Sequence, residues 1–119
     1  MTIPNSVVDD FGEIYIKEVR DRTLAIYDKL KRSEMQSAHS QQLSRVLQQI
    51  SADHPHLLDQ VVIEIVDLML FHGLNCIEQH CELVMDDEVI TTLTDGLAGE
   101  LYSEDGWIQR FSHYPGSEK

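Results

Sequence analysis

The stretch from Pro55 to about Leu83 constrains this chain most, because it is apolar at helical spacing on nearly every side. Leu58, Val62, Ile65, Met69, His72, Cys76 and His80 fall on one stripe, and Val66, Leu70, Leu74 and Ile77 form a second beside it. Only Glu64, Asp67, Asn75 and Glu78 define a polar strip, and Phe71 interrupts it. Asp53 ahead of Pro55 supplies a start, since Asp can accept from the free amides and Pro in the first turn forfeits no intrahelical bond. A helix with so narrow a polar strip needs cover from several sides. The expectation is a long central helix with one face packed inside the domain, and with Val66, Leu70, Leu74 and Ile77 forming a homodimer interface.

The flanking sequence also reads as helical. Asn5 or Ser6 can cap a first helix that carries Val8, Phe11, Tyr15, Val19, Ile26 and Leu30 on one face and runs to about Arg32. After a polar connection at Ser33 to Ser37, Leu43, Val46, Leu47 and Ile50 mark a second helix ending near Ser51. Asp86 and Asp87 are expected to open a fourth helix, where the dipole favours acids, with Val89, Ile90, Leu93, Leu97 and Leu101 as its apolar face. Gly96 and Gly99 weaken that helix and predict a kink or break. Ser103 or Asp105 then caps a short last segment bearing Trp107, Ile108, Phe111 and Tyr114. No alternation is long enough to predict a strand. The fold class expected is all-α, a compact four- or five-helix bundle. It forms a single domain over 1–119, with frayed ends at about 1–5 and 115–119.

Charge is segregated along the chain. Up to Arg45 there are seven acids and seven bases, whereas from Val46 to Gln109 there are 13 acids and no Lys or Arg. The formal net charge of -12 therefore sits almost wholly in the second half. Such a surface repels phosphate backbones and steers cationic molecules toward it, which argues against direct nucleic-acid binding and for a basic protein partner. No apolar run is long enough for a membrane span or a secretion signal. Cys76 and Cys81 lie five apart on one helix, about 140° around it, and cannot bridge each other. Two unpaired thiols fit the cytoplasm.

Catalytic and metal motifs are weak. His72, Cys76 and His80 recur at spacings of four, but the outer two stand about 12 Å apart along a helix, too far to share one ion. They are expected to be semi-buried polar residues in a packed stripe, with no bound metal and no cofactor. There is no Gly-rich phosphate loop, no zinc-protease pair and no calcium loop. The function expected is therefore non-enzymatic: an acidic module that neutralises or regulates a basic protein, in the manner of an inhibitor, an immunity protein or an antitoxin. Its partner surface would comprise Asp86, Asp87, Glu88, Glu100, Glu104 and Asp105, with Trp107 as an aromatic anchor. The alternative is a structural or regulatory homo-oligomer without catalytic activity, and behind it a metal-binding protein or enzyme using His72, Cys76 and His80.

Overall fold

The computed structural model describes residues 6–102 and 105–115. The described residues are mostly helical, at 70%, as the apolar spacing predicts. Ser6 caps α1 (Val7–Tyr15), its Oγ accepting from the Asp9 amide at 3.2 Å. The helix continues without interruption through a π-helical stretch (Ile16–Asp21) into α2 (Arg22–Lys31). It stops where Ser33 takes φ 56, a left-handed conformation that ends the run. Widening the turn brings two neighbouring side chains inward together, so that Arg20 and Asp21 are both buried.

Ser37 caps α3 (Ala38–Ser51) by accepting from the Ser40 amide at 3.0 Å. A short link leads to α4 (Pro55–His80), whose 26 residues span about 39 Å. Pro55 stands in its first turn as expected, but His54 rather than Asp53 occupies the cap position, and no side chain caps the free amides. Asp53 is exposed.

The segment expected to be a fourth helix is something else. Val84–Met85 (β1) and Glu88–Val89 (β2) pair antiparallel, Val84 opposite Val89, with Asp86 and Asp87 forming the turn at φ 54 and 64. Positive φ at both central residues defines the tight hairpin turn whose twist suits paired strands, and Asp is one of the few residues that tolerates it. The two acids therefore make a turn instead of a helix start. Beyond β2 the chain makes two 3-10 turns, Ile90–Thr92 and Ala98–Glu100. Ile90, Leu97 and Leu101 are buried, as the expected apolar face requires, but loops bring them there.

The last element is α5 (Trp107–Phe111), preceded by Gly106. A Cβ at Gly106 would stand 2.6 Å from the carbonyl oxygens of Leu101 and Tyr102, so only glycine fits this crossing. Trp107 is fully buried, with its ring on α1 at Gly12, where any Cβ would collide with the indole. Phe11 meets it edge-on at 5.9 Å.

The apolar core gathers at one end, from Val7, Val8, Ile16, Leu70, Leu74, Ile90, Leu97, Ala98, Leu101, Trp107 and Ile108. The other end, made by α2, α3 and the first half of α4, buries little besides Leu24 and Ser44. The arrangement is more drawn out than the compact bundle expected: it measures 47 × 29 × 23 Å with a radius of gyration of 16.6 Å, against about 13.5 Å for a compact domain of this length. Among the described residues, no helix is long and apolar enough to cross a membrane. The expected frayed ends lie outside the described residues at 1–5 and 116–119, while Pro115 is held by a hydrogen bond from Arg20.

Candidate functional site

The acids of the predicted partner surface come from two loops at the core end. Asp86, Asp87 and Glu88 are exposed at the hairpin, and Glu100 is half-buried at the second 3-10 turn. Glu88 and Glu100 converge with Asp9 on a shallow depression of about 410 Å³ beside Leu93. Glu100 also borders a neighbouring hollow with Thr94 and Asp95, and its carboxylate accepts from the Thr94 hydroxyl at 2.6 Å. Glu78 holds this loop in place, its Oε2 accepting from the Leu97 amide at 3.2 Å.

Arg110 sits at the edge of this face and is already committed. Its guanidinium bonds Asp9 in a fork, at 2.7 and 3.4 Å. The Arg110 hydrogen bond holds the Asp9 carboxyl below the ordinary carboxylate range, and that same bond, with Asp105 and Glu100 nearby, raises Arg110. Asp105 is exposed. Among the described residues, no salt bridge is formed by Asp86, Asp87, Glu88, Asp95, Glu100 or Asp105. Glu104 lies outside the described residues.

Two expected site assignments are corrected by burial. Trp107 is fully buried in the core and cannot anchor a partner from the surface. Among the described residues its indole N–H meets no acceptor with hydrogen-bonding geometry. An exposed apolar side chain that does stand between the acids of the two loops is Leu93, at 50%. Sequence reasoning missed it by placing Leu93 on the inner face of a helix that does not form. Similarly, Leu70 and Leu74 of the expected dimer interface are inside the core at 3% and 0%, with Val66 and Ile77 partly buried against it. That stripe is the inner face of α4.

His72, Cys76 and His80 are all exposed instead of packed, and Phe71 contacts the His72 ring edge-on at 5.5 Å. Among the described residues, no group of three or more His, Cys, Asp or Glu could hold a metal ion.

A polar network that the sequence does not advertise lies beneath the surface. Arg20 is fully buried and forks onto Asp67, Nε to Oδ1 at 2.7 Å and Nη2 to Oδ2 at 3.4 Å. Its Nη1 donates to Ser112 Oγ at 2.6 Å and to the Tyr114 carbonyl at 2.7 Å, and Nη2 reaches the Pro115 carbonyl at 3.2 Å. All five guanidinium donors are thereby used. Asp21 completes the clamp, accepting from Ser112 Oγ at 2.5 Å and from the His113 amide at 3.0 Å. These groups face one another and not a cleft, so their arrangement positions chain segments. The only hint in the sequence is the adjacency of Arg20 and Asp21 within an amphipathic helix.

No protein-family model matches the chain, and neither a curated protein nor a solved structure shows significant similarity to it.

Proposed function

We propose that this chain is a non-catalytic binding module that takes a basic protein partner on its acidic face, as an inhibitor, immunity protein or antitoxin would. The observation that carries this reading is the set of unpaired acids around Leu93. Glu88 and Glu100 border one depression, Asp95 the next, and Arg110, at the edge of this face, is held by Asp9. An exposed apolar side chain with a rim of uncompensated like charge gives a partner both an attractive field and a point of dry contact. The same field disfavours nucleic acid. Two exposed free cysteines, Cys76 and Cys81, fit a cytoplasmic setting. Homodimerisation belongs to this reading, with the acidic face left open in each copy.

The test compares the native chain with a Glu88→Lys/Glu100→Lys variant, both immobilised and exposed to host extract at low salt. The expected result is a protein of net positive charge that the native chain retains, that salt releases, and that the variant fails to hold. With the partner in hand, the association rate should fall about tenfold or more in the variant. Leu93→Ala should raise the dissociation rate instead. A partner held equally by both chains, and insensitive to salt, removes the proposal.

A further inference from the structure

The end of the molecule away from the acids carries an apolar surface with nothing on it. Leu43, Val46 and Ile50 of α3 are 37%, 44% and 58% exposed, and Leu57, Val61 and Ile65 of α4 are all above half. They recur at spacings of three and four, as one face of each helix. The two faces also look the same way. Gln41 and Gln48 of α3 bond the end of α2 and its link, at Lys31, Ser33 and Met35. Leu43, Val46 and Ile50 lie about half a turn round α3 from them. On α4, Asp59 accepts from Tyr27 and Lys31 of α2 at 2.7 and 2.8 Å, and Leu57, Val61 and Ile65 again lie about half a turn away. Both stripes therefore face away from α2, on the outer side of the α3–α4 hairpin.

Resting on the homodimeric part of the reading above, we infer that two copies of this chain pack their α3–α4 hairpins face to face through Val46, Ile50, Val61 and Ile65, closing a four-helix bundle across a two-fold axis. Charge supports a second copy as occupant. In a chain of net charge -12, two copies repel each other across most surfaces, but α3 holds no acid and one base, Arg45, and on the first half of α4 Asp59 is turned to Tyr27 and Lys31 of α2, which leaves Glu64 as the acid flanking the stripe. A cationic protein is drawn to the other end of the roughly 39 Å α4. The hairpin face is self-complementary in the way a two-fold contact requires.

Light scattering after size exclusion at about 50 μM should give twice 13.7 kDa for the native chain. Ile50→Glu/Val61→Glu should give the monomer mass with its helical circular dichroism retained. The melting midpoint of the native chain should rise with protein concentration, and that of the variant should not. If the Glu pair loses its helical signal, Leu57→Gln/Ile65→Gln is read by the same two measurements. A native chain of monomer mass with a concentration-independent midpoint overturns both the dimer and its seam. That holds also where the hairpin variants lose a different protein that binds there. A dimer persisting in both variants overturns the seam alone. Neither outcome touches the acidic face, which is judged by Glu88→Lys/Glu100→Lys.

Discussion

Single residues carry unequal weight in this molecule, and burial says which ones. Trp107→Ala should lose about 3 to 5 kcal/mol, because it empties the centre of the core against Gly12 and Phe11. Urea unfolding measures this directly, and a loss below 1 kcal/mol would place the indole at the surface after all. Asp67→Asn should be comparably severe, at about 3 to 5 kcal/mol, since it leaves the buried Arg20 guanidinium without its counter-charge. At Asp9 the effect depends on pH. The Arg110 hydrogen bond holds its folded-state pKa below the ordinary 3.8, so the stability it adds is full above that value and disappears as pH falls through the lower, folded-state one. The midpoint gap between the native chain and Asp9→Asn, present at pH 7, should therefore close in acid below 3.8. A gap constant down to pH 2 would sever the link between the ion pair and that shift.

At the scale of elements, the hairpin tip offers the sharpest contrast between helix and strand. Asp86→Asn/Asp87→Gly supplies the residues best suited to a turn with two positive φ angles, and should stabilise the chain by a few tenths to about 1 kcal/mol. Were this segment helical, the glycine would cost about 1 kcal/mol, so the sign of the change in midpoint decides. The helices from Ser6 to His80 were legible because their apolar positions recur over many turns and two of their starts carry Ser6 and Pro55. The segment after them was not. Ile90, Leu97 and Leu101 reach the core at intervals that suit a helix equally well, and the turn lacks the Asn or Gly that usually signals a hairpin. That Asp86, Asp87, Glu88 and Asp105 are exposed was legible from their charge alone, whichever backbone carries them. Which apolar side chain stands among them, Leu93 and not Trp107, depended on that misread backbone.

Across the whole molecule, charge and shape pull in one direction. The 13 acids between Val46 and Gln109 repel one another, and salt screens that repulsion over about 8 Å at physiological strength. The melting midpoint should rise between about 0.02 and 0.15 M salt, whereas a chain held mainly by surface ion pairs would show the reverse. The buried clamp has a further consequence, for the order in which the molecule is made. Arg20 and Asp21 leave the ribosome early, yet what satisfies them includes Ser112, His113, Tyr114 and Pro115, more than ninety residues later. Until then the guanidinium must stay hydrated, and Gly12 has no indole to receive. The α2–α3–α4 end has no such debt to later residues: Ser37 caps α3, and Tyr27 and Lys31 meet Asp59, all within the first 59 positions. One part of the molecule can thus take shape while later residues are still being made, whereas the other waits for Ser112 to Pro115.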